Sequence, residues 1–283
     1  FDTEQMKYYL ERRLVDAGVD LFYYAKIFDA DVEDGNITAV SVVNKDGFLE
    51  LRGRVFVDAT GDGDVGYFAG CTYDFGADGK EGQPMSYLAY VTGIDREAVK
   101  QFTNNHPDVP NEVGKKNLLA ELARAGFTPS YAKPSLSYTR DGVFNLGVNH
   151  QYGSGLDSRT ITKATIEGRH EVFSAVAALK SLGGIWSDLS IIATPTYIGV
   201  REGRRILGEY TVTVGDLIAG TKHEDSVCRA AFNVDVHTKG GYESGGVRVQ
   251  PYDIPLRALK SKEIGNLYMA GRCISGDHLA HAS

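Results

Sequence analysis

Arg54-Val55-Phe56-Val57-Asp58-Ala59 followed by Thr60-Gly61-Asp62-Gly63-Asp64 is the stretch on which the fold turns. Its first half is rich in β-branched and aromatic residues and carries the pattern of a buried strand. Its second half stops that strand abruptly with Gly and Asp. Residues Gly61-Asp62-Gly63-Asp64-Val65-Gly66 fit the string GxGxxG literally. A diphosphate-binding turn, however, presents bare backbone N–H groups at a helix N-terminus, whereas Asp62 and Asp64 set two carboxylates there that repel a diphosphate. Nor does a second strand ending in an acidic residue follow about 20 positions later. The string by itself therefore reads as a strand-end turn, whose small residues suit close approach of the backbone to another group.

Upstream, Asp2-Thr3 and Gln5 form a capping start, and Met6, Leu10 and Leu14 recur at helical spacing up to Gly18, which predicts a helix over 3–17. Three strand-like runs follow, Leu21–Asp31, Ile37–Asn44 and Phe48–Asp58, punctuated by Asp34-Gly35 and Asp46-Gly47. Both dipeptides favour hairpin turns, so this segment reads as a β-meander. From about Tyr73 the texture changes. A strand is predicted at Tyr87–Thr92, helices at Asp95–Asn104 and Glu112–Ala125, and a helix at Thr165–Leu182 with Ile166, Phe173, Val176 and Leu179 on one side. Later strands are predicted at Ser190–Ile198, Ala231–Val236, Val247–Tyr252 and Asn266–Ala270, with a helix at Val214–Ile218.

The 283 residues suffice for one large or two ordinary domains. With 30 basic against 37 acidic side chains and no long basic run, the chain lacks the clustered Lys and Arg that a nucleic-acid binder needs, so a small molecule is the expected partner. Cys71, Cys228 and Cys273 are odd in number and widely spaced, which indicates buried free thiols rather than a disulfide framework or metal site. No stretch reaches about 18 consecutive apolar residues, so no membrane span is expected, and the expected location is the cytoplasm. GxxxxGK[ST], HExxH and GxSxG strings are absent.

The order helix, meander, strand ending in Ala59-Thr60-Gly61 is similar to the middle of the FAD-binding domain of two-dinucleotide-fold flavoproteins. Gly265-Asn266-Leu267-Tyr268-Met269-Ala270-Gly271-Arg272-Cys273-Ile274-Ser275-Gly276-Asp277-His278 resembles the strand, turn and helix that close such a domain. Gln83-Pro84-Met85, Gly199-Val200-Arg201-Glu202-Gly203-Arg204-Arg205-Ile206 and Pro251-Tyr252-Asp253-Ile254-Pro255 lie between them. Together they resemble the FAD-dependent oxidoreductases related to fumarate reductase flavoproteins, over nearly the whole chain.

The resemblance implies an α/β fold: an incomplete Rossmann-like FAD-binding domain with a β-meander, interrupted by an α+β substrate domain. Its expected parts are 1–72, 73–245 and 246–283. In that family a glycine-rich diphosphate loop precedes every segment quoted, and this sequence has none. The expectation is therefore an inactive piece of a longer flavoenzyme, without the closing helix, that holds FAD weakly or not at all. The apolar faces thereby left uncovered predict self-association into a homo-oligomer or a rearranged fold.

Carried over by position, the resemblance places Ile27 against the adenine through its backbone and Ala59, Thr60, Gly61 and Asp62 beside the ribose-diphosphate. It sets Gly271 and Arg272 by the ribityl chain, where related flavoproteins often have Gly-Asp. Arg272 could bond flavin or phosphate oxygens or pair with an acidic neighbour. Asp277 opens a helix whose N-terminus faces the flavin pyrimidine edge in the family. Arg201, Arg204, His278 and His281 are the candidates for substrate handling, because guanidinium forks hold anions and imidazoles move protons. A salt-bridged surface of Arg201, Arg204 and Arg205 with Glu202 and Glu209 is the structural alternative. The intact enzyme would transfer a hydride between FAD and a small, anionic molecule. Two rivals stay open: a binding module for a sugar or acidic metabolite that never engages flavin, and a flavin-free enzyme with Asp277, His278 and His281 around a metal.

Overall fold

The computed structural model describes residues 2–77, 79, 81–238, 241–243 and 247–283. Its contacts divide the chain into Phe1–Leu21 with Pro84–Gly153 and Asp157–Val200, and Phe22–Gln83 with Ser154–Leu156 and Arg201–Ser283. The expected boundaries lay at 72/73 and 245/246; the contacts divide at 83/84 and 200/201, with the first helix grouped with the middle of the chain.

In the second of these units the meander forms as an antiparallel sheet of Lys26–Glu33, Asn36–Asn44 and Gly47–Arg52, in that order. Asp34 and Gly35 turn the first hairpin with φ of 48° and 72°. The run expected as one strand from Phe48 to Asp58 is divided at Gly53: Gly47–Arg52 stays in the meander, and Phe56–Asp58 leaves it to pair in parallel with Leu267–Met269. Asn266 ties the two sheets together, its amide accepting from Ile37 N at 2.9 Å and donating to Ile37 O at 2.8 Å. Beneath them Ile37, Val65, Ile206, Leu267, Met269 and Cys273 form one core, with Ile27 and Phe56 packed on it. A second core gathers Val212, Leu217, Val234, Tyr252, Ala258 and Ala280. The helix Val214–Ala219 beside it has a capping box between Thr213 and Asp216. The strands expected at Ala231–Val236 and Val247–Tyr252 are displaced to Ser226–Ala230 and Tyr252–Pro255, which pair with each other. Apolar runs do not mark those strands, because what fixes them is the ladder partner.

The other unit is a four-stranded antiparallel sheet in the order Ser135–Arg140, Val143–Gly147, Ala89–Thr92, Ser190–Ala193. The expected strand Ser190–Ile198 is thus cut short ahead of Pro195, which cannot donate to a ladder. Helices Asn111–Arg124 and Ser158–Ser181 contribute Leu118, Leu122, Val172, Val176 and Leu179 to its core. The long helix begins seven residues before the expected Thr165 because Asp157 caps it, accepting from Thr160 N at 2.7 Å. Its buried face runs through Ala164, Gly168, Val172, Ala175, Val176 and Leu179, whereas Ile166 and Phe173, expected inside, are exposed. Gly168 explains this choice of face: a Cβ there would stand 2.8 Å from Tyr87 Cβ, so the helix seats its small residues against the sheet. The helix expected at Asp95–Asn104 is a series of turns ending in a short 3-10 segment, Lys100–Phe102. The helix Thr3–Asp16 forms with Asp2 as its cap, but its Met6, Leu10 and Leu14 stripe is exposed.

Cys71 and Cys273 are buried, as expected, and Cys228 is exposed, contrary to expectation, on an edge-lying strand. Among the described residues no helix is long and apolar enough to cross a membrane.

Candidate cofactor and active site

Because Phe56–Asp58 and Leu267–Met269 run parallel and in register, Phe56 opposite Leu267 and Asp58 opposite Met269, their C-terminal ends emerge side by side. Ala270 N donates to Asp58 O at 2.8 Å, so the link between the ends continues past the strands. In open α/β sheets such adjacent strand ends are where ligands bind. The Asp58 side chain is fully buried and organises the turn that follows. One carboxylate oxygen accepts from Thr60 N at 3.0 Å and Thr60 Oγ1 at 2.7 Å, and the other accepts from Gly66 N at 3.0 Å.

Both turns need glycine. Gly61 has φ of 80° and Gly271 has φ of 86°, a region that residues with a Cβ rarely enter. A Cβ on Gly61 would also lie 2.6 Å from Arg272 Nη2. Arg272 thus lies directly against the first turn, donating to Asp62 Oδ1 at 3.1 Å, and its Nε is buried with no hydrogen-bond partner. Of the two roles open to Arg272, pairing with an acidic neighbour is present, and the unpartnered Nε leaves capacity for an anion. Ala59 and Thr60 are exposed at the strand end, and Ile27 packs on the core beneath.

The arginine-rich segment divides its work. Arg204 Nη1 donates to Asp62 O and to Asp64 Oδ1, both at 2.9 Å, while its guanidinium lies 4.1 Å from the centre of the Tyr67 ring. That geometry holds the Asp62–Asp64 turn from behind. Arg205, buried, pairs with Glu202 and donates to Gly76 O at 2.9 Å. Glu202 further accepts from Gln83 N at 3.1 Å and lies 3.4 Å from His278 Nδ1. The salt-bridged alternative therefore holds for Arg205 with Glu202, whereas Arg204 takes Asp64 and Glu209 takes Lys260.

Beside the Gly271 turn lies a crevice of about 320 Å³ lined by Arg201, Gly271, Arg272, Ser275, Gly276 and His281 among others. His281 is held neutral, its pKa pushed down to about 4 by burial and then by the charges of Arg205 and Arg272. Asp277 spends both carboxylate oxygens on backbone amides, accepting from Val214 N and Ala280 N at 2.7 Å each, and so fixes the turn that carries His278 and His281. Among the described residues no three His, Cys, Asp or Glu side chains gather as a metal site, so Asp277, His278 and His281 are not brought together around one.

Of the residues expected at the cofactor, the strand ends bring Ala59, Thr60, Gly61, Asp62, Gly271 and Arg272 into one neighbourhood. Sequence reasoning passed over Asp58 and the central place of Glu202. A carboxylate closing a buried strand directly before Thr-Gly is the signal that could have found Asp58; nothing local distinguishes Glu202.

The family model for FAD dependent oxidoreductases matches residues 1–283. No curated protein matches the chain. Among solved structures, the chain is similar to a geranylgeranyl bacteriochlorophyll reductase-like protein from Thermoplasma acidophilum, with 14% identity over 74% of this chain and 42% of that one and a TM-score of 0.43. It is also similar to L-proline dehydrogenase from P. horikoshii, at 13% identity over 95% and 48% with a TM-score of 0.35. A third likeness is to p-nitrophenol 4-monooxygenase from Pseudomonas putida DLL-E4, at 12% identity over 67% and 40% with a TM-score of 0.35. The chain spans less than half the length of each of these three.

Proposed function

Since the chain belongs to the FAD dependent oxidoreductase family, we propose that it contributes the cofactor-facing strand ends of an enzyme that transfers a hydride between FAD and a small anionic molecule. FAD, the family's cofactor, supplies the hydride chemistry when bound. The residues that would hold it are Ala59, Thr60, Gly61 and Asp62 at one strand end and Gly271 and Arg272 at the other, with Ile27 on the first strand of the meander. The residues fit this task because both turns adopt positive φ and Arg272 keeps a buried, unpartnered Nε beside them.

Arg201 and His281 line the adjoining crevice, where a guanidinium and a neutral imidazole would orient an anionic group and hold a proton. Arg204 and Asp277 act one step behind, positioning the Asp62–Asp64 turn and the His278–His281 turn through the bonds described. The observation that carries the reading is the parallel pairing of Phe56–Asp58 with Leu267–Met269, which sets two glycine turns from opposite ends of the chain next to each other.

The experiment is a titration of the purified chain with FAD, followed by flavin fluorescence and by anaerobic bleaching of the 450 nm region with candidate anionic donors. Saturable quenching that is lost on replacing Gly61 and Gly271 by Val supports the reading. Absence of any flavin signal, from this chain and from a longer chain containing it, overturns it in favour of a flavin-free binding module.

A further inference from the structure

We infer that Glu202 is a positioning residue that fixes the His278 imidazole as its Nδ1–H tautomer, leaving Nε2 bare as the atom that accepts a proton. Its relevance to turnover rests on the proposed redox function; the tautomer itself does not.

Glu202 is 1% exposed, and among the described residues its carboxylate meets a guanidinium, a backbone N–H and one imidazole nitrogen. Arg205 Nη1 and His278 Nδ1 approach Oε1, the latter at 3.4 Å, and Gln83 N donates to Oε2 at 3.1 Å. Arg205 is itself 3% exposed and anchored on Gly76 O at 2.9 Å, so this charge cannot swing away from Glu202 at little cost. Burial alone would push the Glu202 carboxyl above its ordinary pKa, but the His278 bond, the Gln83 amide and the Arg205 charge outweigh it and hold the group below that value.

An ionised carboxylate can only accept hydrogen bonds. The ring nitrogen facing it must therefore carry the hydrogen, and a neutral imidazole has only one N–H to give. Nε2 is left with its lone pair. The His278 side chain remains 23% exposed, so the ring is open to a partner even though Glu202 is sealed. His281, on the same turn, is held neutral by burial and nearby guanidinium charge. The turn thus carries two imidazoles, one of them oriented by a buried anion. In a site that oxidises a hydroxyl- or amine-bearing carbon, a bare Nε2 is where the proton released by the substrate would be held.

The test is long-range 15N–13C correlation NMR on the chain labelled at histidine, without FAD. H278Q removes one of the seven histidine signals and so assigns it. In its neutral form, His278 is expected to show the Nδ1–H pattern in the wild-type chain. E202Q presents an amide N–H as well as a carbonyl, and is expected to shift the population away from that pattern. A wild-type His278 with the Nε2–H pattern overturns the inference, as does a pattern unchanged in folded E202Q. The wild-type spectrum decides by itself if E202Q does not fold. Because flavin is absent from the sample, this result and the FAD titration fail independently.

Discussion

Gly61 stands at φ of 80° with the Arg272 guanidinium packed against it, 2.6 Å from where a Cβ would be. Valine there meets two obstacles at once, a disfavoured backbone and a side chain it cannot pass. Gly61→Val is expected to weaken FAD binding by about tenfold or more, since strain of this kind costs about 1–3 kcal/mol, with circular dichroism confirming that the fold persists. At the same scale, His281 binds its proton far less readily in the folded chain, at a pKa of about 4 against an ordinary 6.5. Between those values the unfolded chain carries more protons, so folding stability falls as pH drops from about 6.5 to about 4, by at most about 3 kcal/mol. Carboxylates titrate in part of that window too, so the measurement is a difference. Urea midpoints of wild type and H281Q across pH 4–7.5 are expected to diverge most at the acid end, with H281Q the flatter curve. Gly61 and Gly271 could be recognised in the sequence from their neighbours, whereas the ion pair of Arg272 with Asp62 could not, because the two lie 210 positions apart.

At the scale of elements, Asn266 links the meander to the parallel pair through both the N–H and the C=O of Ile37. Asn266→Ala leaves those partly buried groups without partners and is expected to cost about 1–3 kcal/mol in urea unfolding. The elements that were legible were those with local punctuation. Asp34-Gly35 made the first hairpin readable and Asp2 the first helix, and Leu267–Met269 fell inside its expected run. The hairpin Ser135–Gly147 was passed over although Asp141-Gly142 turns it with φ of 37° and 75°, the same signal as in the meander. Where the reading failed on Ala231–Val236, and on Ile166 and Phe173, it used apolar content as a proxy for burial. Burial there follows instead from which face can approach a neighbour closely: Ala164, Gly168 and Ala175 can, and a helix with large side chains at those positions could not.

At the scale of the molecule, the two units have separate cores, so a loss in one should not reach the strand ends of the other. Leu118, fully buried beside the four-stranded sheet, is the test. Leu118→Ala is expected to lower stability by about 2–5 kcal/mol while FAD affinity, read under conditions where the variant remains folded, stays within about twofold of wild type. The sequence by itself determined the mixed α/β character, the meander, the two glycine-bearing strand ends and, through several motifs in order, the family resemblance; all of these are written in short windows, as periodicity, turn chemistry and motif spacing. Only the tertiary structure decided that Phe56–Asp58 leaves the meander for Leu267–Met269, that Arg204 braces a turn rather than facing a ligand alone, and that Glu202 collects Arg205, Gln83 and His278. Parallel pairing and a buried carboxylate's choice of donors depend on residues far apart in the chain, and those meet only after the cores between them have packed.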